Sequence, residues 1–465
     1  MIKSQNINQL IDLMIKAYQN KDYKSAYNNA KLITKKLPKY SLSWKILSAL
    51  LERKGELKKS LVAIQEAIKL LPEDPEAYYS QGITLFRLGK LNEAKESYSR
   101  AIYLKKNFDK AHNNLGVVQD KLNNLEEAVD CYKEAIKINK EYAEAYYNLA
   151  LTLDKLNKYE ESKKNYNKSL ELKPGYKLAL LGRGEVFLKN GEIDNALKDF
   201  DNCNTRDSRS RALILLYNSV RYDEIYERIK KNLILDDGNL KIASFSSFIS
   251  NKFKKDTGHK FCKNPLEFIH YSNLSSHVRN TKLFIDNIVN ELNNLETSWE
   301  PLNKSTIKGF QSDDNLFENS QNKILNLRSI ISDEIDTYYM KFGNRDCSFI
   351  KKWPKKKNLY GWYVDLKYQG YQTAHIHPSG WLSGVIYLKV VPSLGKNEGA
   401  IEFSLNGRDY IDQEAPKVIF EPNVGDIVFF PSSLHHRTIP FTSGSNRIII
   451  SFDLAPDNKE FREVN

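Results

Sequence analysis

A strict period of 34 residues runs through the first half of the chain and constrains its fold more than any other feature. Small residues recur at one position of each unit, six times without an insertion. A period of this length indicates stacked supersecondary units of one kind. The three clearest columns are Ala26, Ser60, Ala94, Ala128, Ser162 and Ala196; Met14, Ser48, Gly82, Gly116, Ala150 and Gly184; and Ile33, Ala67, Ala101, Ala135, Ser169 and Cys203.

Each unit contains two segments whose apolar residues are three and four positions apart, joined by a short polar turn such as "LGKLNEA". That spacing predicts a pair of amphipathic helices. Pro38, Pro72 and Pro174 end some of the units, as expected where a second helix stops. A single helical hairpin cannot bury its own apolar face, so neighbouring units must stack. The sequence therefore predicts an all-α superhelix over residues 1–235.

These units resemble the tetratricopeptide repeat, most clearly in "AYYNLALTLDKLNKYEESKKNYNKSLELKP" at 145–174. The resemblance implies a binding module that holds a protein or peptide partner in the groove of the solenoid. Asn113, Asn114 and Asn148 are candidates to contact the backbone of an extended peptide, with plain solvation as the equal alternative. A degenerate seventh unit at 215–234 is expected to cap the array.

The period is lost in the second half of the chain. We interpret 236–265 as a connecting segment, followed by helices at 277–297 and roughly 321–342 around an irregular stretch at 298–317. From residue 358 the pattern changes to period two, punctuated by Gly, Pro, Asn and Asp, which predicts a jelly roll over 266–460. The predicted strands are "NLYGWYVDLKY", "YQTAHIH", "SGVIYLKVV", "GAIEFSL", "KVIFEP", "DIVFFP", "HHRTIPF" and "NRIIISFDL".

Four of the eight histidines fall in two places in this region, His375 with His377 and His435 with His436. Imidazole is a preferred ligand of iron, copper and zinc, so this clustering favours a metal site. Alternation along a strand places His375 and His377 on one face and sends His435 and His436 to opposite faces. At most one of the second pair can therefore bind the metal. The alternative is four histidines without a metal.

Residues 270–455 resemble the iron(II)- and 2-oxoglutarate-dependent oxygenases, which fold as a double-stranded β-helix. The resemblance implies Fe(II) and 2-oxoglutarate as cofactors, with ascorbate as a further candidate. It aligns His375, His377 and His436 with the metal ligands, and it implies no catalytic residue beyond this metal shell. The motifs that carry it are "SWEPLNKSTIKGFQS", "HIHPSGWLSGVIYL", "GDIVFFPSSLHHRTIPF" and "NRIIISFD".

Three further residues are candidates to bind the distal carboxylate of 2-oxoglutarate. In the resembling enzymes an arginine follows the late histidine by some ten residues, and Arg447 follows His436 by eleven. An arginine offers a two-pronged contact to a carboxylate. Ser451 lies on the same strand face as Arg447, and Tyr387 matches a tyrosine of related prolyl hydroxylases. An ordinary core position is the equal alternative for Tyr387.

The chain departs from the usual His-x-Asp pair of these oxygenases, because His377 stands in place of the carboxylate. Either His377 binds the metal directly, or the metal sits on His375 and His436 with water in the gap. No glutamate follows "HIHP" where a typical cupin motif has one. The role of His377 is therefore open.

The predicted function is a hydroxylase whose helical repeats recruit a protein or peptide substrate. One alternative is a non-catalytic repeat scaffold with a degenerate jelly roll. The other is a cupin-type metal enzyme that does not use 2-oxoglutarate. Arg447 and the metal are the features that distinguish the three hypotheses.

Composition excludes several other classes. The 465 residues carry a net charge of +12, but the densest basic run, "KKWPKKKN" at 351–358, has no nucleic-acid motif beside it. We expect a solvated connector there, in preference to a phosphate grip with Trp353 as a stacking face. No apolar run approaches the length of a membrane span. Four scattered cysteines without a C-x-x-C pair favour a reducing, cytoplasmic location.

Overall fold

A computed structural model describes residues 2–301, 304–318 and 323–457. Backbone packing divides it into two compact units, Met1–Thr205 and Arg206–Asn465. The predicted domain end at residue 460 and the first two residues of the predicted helix at 321–342 lie outside the described residues.

The first unit is an all-helical array, which confirms the predicted tetratricopeptide-type superhelix. Consecutive helices form antiparallel hairpins, one for each 34-residue unit, and their apolar faces are buried between neighbours. Its helices are α1 (Ile2–Gln19), α2 (Tyr23–Lys36), α3 (Ser41–Arg53), α4 (Leu57–Leu70), α5 (Pro75–Arg87), α6 (Leu91–Leu104), α7 (Asp109–Lys121), α8 (Leu125–Ile138), α9 (Ala143–Lys155), α10 (Tyr159–Leu172), α11 (Lys177–Lys189) and α12 (Ile193–Cys203).

The columns of small residues mark the points where the two helices of a hairpin meet most closely. A Cβ built on Gly116 of α7 would lie 2.6 Å from the ring of Tyr132 on α8. The equivalent Cβ on Gly82 of α5 would lie 2.6 Å from the ring of Tyr98 on α6. The repeat therefore preserves a space that a buried tyrosine fills in the next helix.

The asparagines on the first helices make contacts that neither of the two interpretations, peptide binding or plain solvation, includes. Asn113 is buried, and its side chain joins a ladder across successive repeats. The Asn148 amide donates to Asn113 at 2.9 Å, and the Asn113 amide donates to Asn114 at 3.2 Å. Asn114 in turn donates to the Tyr79 hydroxyl at 3.2 Å. These side chains connect neighbouring repeats.

The second unit begins with helices that the sequence had assigned to the solenoid and the connecting segment. The guanidinium of Arg209 pairs with the buried Asp236 at 2.6 Å, and Ser244 contacts residues of the jelly roll. These contacts group the helices with the β-domain and place the division before residue 235. The helices of the second unit are α13 (Arg206–Asn218), α14 (Tyr222–Lys231), α15 (Leu240–Phe253), α16 (Thr281–Leu292), α17 (Lys323–Phe342) and α18 (Ser348–Lys351).

The strands of the second unit form the two antiparallel sheets of a jelly roll, as predicted. The larger has the order β1-β8-β5-β10-β4-β3-β2, and the smaller has the order β7-β6-β9. The strands are β1 (His270–Asn273), β2 (Thr297–Trp299), β3 (Thr306–Ser312), β4 (Asn358–Gln372), β5 (Leu382–Lys389), β6 (Ile401–Ser404), β7 (Lys417–Phe420), β8 (Asp426–Pro431), β9 (His435–Thr438) and β10 (Arg447–Ala455).

Strand β10 shows how the two faces of the larger sheet are used. Phe452 and Leu454 belong to one apolar core with buried residues of α15, α16 and α17. Alternation turns Arg447, Ser451 and Asp453 to the opposite face, the interior of the jelly roll. All three of these polar residues are at least nine-tenths buried.

Two of the sequence-based assignments in this unit were wrong. The stretch predicted as irregular contains β2 and β3, and a register shift between Ile307 and Gly309 interrupts the alternation that would have revealed β3. The predicted strand "YQTAHIH" is not continuous, because β4 ends at Gln372 and only His375 forms an isolated bridge. The Pro378 that follows the second histidine cannot donate a backbone hydrogen bond and favours a turn.

The basic run at 351–358 leads from the end of α18 to the start of β4. Lys352 and Lys357 form ion pairs with Asp237 and Asp336, both at 2.5 Å. The Trp353 ring stacks on Tyr338, with the ring centroids 5.6 Å apart.

None of the helices in the described part of the chain combines the length and the apolar composition of a membrane span.

Candidate metal centre

Backbone pairing brings three histidines from two places in the sequence to one point. His375 and His436 form an isolated antiparallel bridge, in which each N–H donates to the other carbonyl at 3.1 Å. The N–H of His377 donates to the carbonyl of Ser432, just before β9, at 3.0 Å. These backbone hydrogen bonds fix the position of the main chain at each of the three histidines.

The three imidazoles converge at their Nε2 ends. One ligand atom from each of His375, His377 and His436 lies within 4.8 Å of the other two. The Nε2 atoms of His375 and His377 are 3.2 Å apart, and the ring centroids of His375 and His436 are 4.3 Å apart. The Ser305 hydroxyl also lies 3.2 Å from His375 Nε2. No other group of three metal-ligating side chains occurs among the described residues.

Hydrogen bonds at the opposite nitrogen orient each ring. Nδ1 of His375 is 2.6 Å from the carbonyl of Thr373, and Nδ1 of His436 is 3.2 Å from the carbonyl of Leu434. A carbonyl can only accept, so these Nδ1 atoms carry the proton in the neutral ring and the Nε2 lone pairs face one another. This is the arrangement in which a protein presents imidazoles to a metal.

Burial keeps the rings of His375 and His436 neutral. Desolvation lowers the pKa of His375 to about 3, and the nearby His377 ring adds to that effect. Desolvation and the His375 and His377 rings likewise hold the pKa of His436 well below its usual value. A metal therefore does not have to displace protons from these two ligands near neutral pH.

His435 points away from the three converging rings, as the alternation predicted. Its Nδ1 lies 2.8 Å from the Ser244 hydroxyl on α15. The ring meets Tyr410 edge-on, with the centroids 5.7 Å apart. Consecutive histidines on β9 thus serve two environments, the interior of the jelly roll and its contact with α15.

We predict that His435 makes the second unit acid-sensitive. Desolvation lowers the pKa of His435 to about 4, whereas the unfolded chain has the ordinary value of 6.5. Below pH 6.5 the unfolded state takes up a proton that the folded state excludes, so stability falls with pH. His435→Ala should reduce the loss of unfolding free energy between pH 7.5 and 5.5 by about 1.4 kcal/mol. Urea denaturation of the second unit at both pH values measures this. An equal loss in the variant and the wild type would contradict it.

A buried arginine on β10 has no carboxylate partner among the described residues. Arg447 is 1 % exposed, and its Nε and Nη1 have no hydrogen-bond partner within the described part of the chain. The guanidinium lies over the ring of the fully buried Tyr387, 5.0 Å from its centroid, and the Tyr387 hydroxyl is likewise unpartnered there. Burial raises the pKa of Tyr387 to about 12, against the lowering influence of Arg447. Ser451, the third candidate, is buried on the same face.

Sequence reasoning did not identify Asp453 and Trp362, both of which contact His377. The carboxylate of Asp453 lies 2.6 Å from His377 Nδ1. The half-buried Trp362 on β4 places its ring centroid 5.3 Å from that of His377. Period two on β10 does put Asp453 on the face of Arg447 and Ser451, which is the signal that could have identified it.

Models of two different families match the β-domain and the helical repeats. Residues 360–453, which include the three converging histidines and Arg447, match the family model described as "Putative 2OG-Fe(II) oxygenase". Tetratricopeptide-repeat models match residues 82–123, 121–157 and 143–176. One chain thus carries matches to tetratricopeptide-repeat models and, separately, to the model described as "Putative 2OG-Fe(II) oxygenase". No curated protein matches the chain in sequence.

Several solved structures are similar to the repeats. MamA is 27% identical over 34% of this chain and 92% of its own, with a TM-score of 0.32. PilF of Pseudomonas aeruginosa is 19% identical over 44% of this chain and 96% of its own, with a TM-score of 0.38. YrrB, described as a TPR protein with an unusual peptide-binding site, is 19% identical over 41% of this chain and 97% of its own, with a TM-score of 0.35.

Proposed function

We propose that the chain is an Fe(II)- and 2-oxoglutarate-dependent dioxygenase that hydroxylates a protein or peptide substrate. One observation carries the proposal. Three imidazoles converge inside a jelly roll whose interior also holds a buried arginine with two nitrogens unpaired among the described residues. The first feature suits a metal ion and the second suits an anion, and the oxygenase type of the domain connects the two.

The donor set fits Fe(II). Nitrogen ligands of intermediate softness suit iron, and three ligands leave open positions for a cosubstrate and oxygen. His375, His377 and His436 would hold the ion through Nε2, because their Nδ1 atoms are engaged elsewhere. Of the two alternatives for His377 we favour direct binding of the metal, because its Nε2 lies 3.2 Å from that of His375.

The buried arginine fits the distal carboxylate of 2-oxoglutarate. A buried guanidinium with two nitrogens unpaired among the described residues is costly unless an anion neutralises it. Arg447 would provide the charged contact, and the unpartnered hydroxyl of Tyr387 would donate a second hydrogen bond. Ser451 lies along the same strand face and would be a further donor. No residue beyond these and the metal ligands needs to act chemically.

Iron(II) with 2-oxoglutarate supplies the oxidising power to insert one atom of O2 into a C–H bond, while the keto acid is converted to succinate and CO2. The protein positions and shields this chemistry. The Phe430 ring lies 4.5 Å from that of His436, centroid to centroid, and Trp362 covers the side of His377. These rings would exclude water around the ligands. The half-exposed Trp362 would also form the wall against which the substrate lies.

The repeats supply the expected partner site. Tetratricopeptide repeats mediate protein–protein interactions, and fusion to an oxygenase domain points to recruitment of the molecule to be oxidised. The side-chain ladder of Asn148, Asn113 and Asn114 ties the first helices of neighbouring repeats together. A groove braced in this way would offer a preorganised surface to a peptide.

A turnover assay tests the proposed function. The purified chain, given Fe(II) and 2-oxoglutarate under air, should form succinate, and candidate protein substrates should increase the rate. Omission of ascorbate tests whether that reductant is needed. No binding of 2-oxoglutarate by the metal-loaded chain, and no succinate, would overturn the proposal.

The other two hypotheses make different predictions in the same experiments. A non-catalytic scaffold would retain its partner after His375→Ala and His436→Ala and would show no metal-dependent turnover. A cupin-type enzyme would consume oxygen without 2-oxoglutarate, and Arg447 would be dispensable for that reaction.

A further inference from the structure

A buried carboxylate lies directly behind the histidine that departs from the oxygenase pattern. Asp453, 9 % exposed, approaches His377 Nδ1 with its Oδ1 at 2.6 Å. A carboxylate accepts, so the His377 Nδ1–H donates and its Nε2 lone pair is directed toward His375 and His436. Of the three converging rings, His377 has a charged partner at Nδ1, whereas the other two have backbone carbonyls.

Neighbouring residues form a fixed cradle for this carboxylate. The Ser383 hydroxyl donates to Asp453 Oδ1 at 2.6 Å and lies 2.8 Å from the Ser432 hydroxyl. A Cβ on Gly380 would come within 2.6 Å of Ser432 Oγ and 2.9 Å of Asp453 Cγ. Glycine at this position allows the turn after His377 to close over the carboxylate. The orientation of the Asp453 side chain is thus set by a strand partner and by close packing.

The position of this carboxylate compensates for the extra positive charge of a metal site with three histidines. Replacing the usual aspartate ligand by imidazole leaves the metal with one more unit of positive charge in a buried place, which is costly. Asp453 returns a negative charge to the site at a distance of one imidazole ring. The carboxylate is thus displaced from the metal to the far side of His377.

We propose that Asp453 is a positioning residue that makes His377 a metal ligand, by fixing its tautomer and ring orientation and by neutralising the excess charge of the site. The inference rests on the metal site of the proposed function. Partners of this kind behind a metal-binding histidine typically change metal affinity by 10- to 100-fold.

Metal titration of the apoprotein tests the inference without any turnover. Asp453→Asn keeps the shape of the side chain but removes its charge, and should weaken Co(II) binding by roughly 10- to 100-fold. The Co(II) absorption spectrum should also shift, because the orientation of one ligand changes. Asp365→Asn is the matched control, since Asp365 is an equally buried carboxylate on β4 that pairs with Lys367 at 2.6 Å. The control should bind Co(II) as tightly as the wild type.

A second pair of variants keeps the inference testable if Asp453→Asn alone folds poorly. H377D restores the usual aspartate ligand but sets two carboxylates beside each other, so it should bind Co(II) weakly. Adding Asp453→Asn to H377D should then strengthen binding, which reverses the sign of its effect in the wild-type background. A merely structural aspartate would weaken binding in both backgrounds.

The outcomes separate this inference from the proposed function. If the wild type binds Co(II) and Asp453→Asn binds it equally well with an unchanged spectrum, the inference is wrong and the metal site stands. If the wild type binds no metal at all, the proposed function fails first. An equal loss of affinity in H377D and in its double variant would also overturn the inference.

Discussion

Arg447→Met should severely weaken 2-oxoglutarate binding and leave the protein without ligand at least as stable as the wild type. Losing one partner of a buried, hydrogen-bonded charge pair costs about 2–5 kcal/mol of binding, which weakens affinity roughly 30- to 5,000-fold. Removing the charge should not lower the stability of the unliganded protein, because two of the guanidinium nitrogens are unpaired within the described residues. Calorimetry and thermal unfolding, each with and without 2-oxoglutarate, measure both effects.

Arg437 on β9 provides the matched control for this variant. Its guanidinium pairs with Glu402 at 2.8 Å near the surface, so Arg437→Met should cost about 0–1 kcal/mol of stability and leave 2-oxoglutarate binding intact. If Arg447→Met instead lowered the stability of the unliganded protein and preserved ligand binding, Arg447 would be a structural residue and the cosubstrate site would lie elsewhere.

His436→Ala and His435→Ala should have opposite consequences although the residues are adjacent. His436→Ala removes one of three converging ligands, so the loss of metal affinity should exceed the roughly 10- to 100-fold expected from disturbing an outer partner. Succinate formation should disappear with it. Metal content after dialysis and the Co(II) titration measure the loss.

His435→Ala should retain the metal and lose stability instead. It removes the hydrogen bond to Ser244 and the edge contact with Tyr410, at a cost of about 1–3 kcal/mol. Equal metal affinity in the two variants would contradict the assignment of His436 as the ligand. Loss of metal from His435→Ala alone would reverse that assignment.

Periodicity in the sequence predicted those helices and strands in which one face is buried. The 34-residue columns predicted the helical hairpins because a small residue is required wherever a buried ring such as Tyr132 approaches. Alternation likewise separated His435 from His436, since a strand sends successive side chains to opposite faces. Both inferences rest on local geometry that the sequence repeats or alternates.

Features that depend on contacts between distant parts of the chain could not be predicted from the sequence. The contacts of α15 could not be predicted from periodicity, because they involve Tyr410 and His435, which lie far along the chain. The approach of Asp453 on β10 to His377, which lies between β4 and β5, joins residues that are far apart in the sequence. Strand β3 was missed because the shift at Gly309 breaks its alternation. These features appear only once the sheet is assembled.

Anaerobic calorimetry of 2-oxoglutarate with the Mn(II)-loaded chain tests the central claim, a metal site and an arginine that together hold one cosubstrate. We expect one 2-oxoglutarate to bind per chain, with binding lost when the metal is removed and severely weakened in Arg447→Met. Binding that is independent of both, or no binding to the metal-saturated wild type, would contradict it.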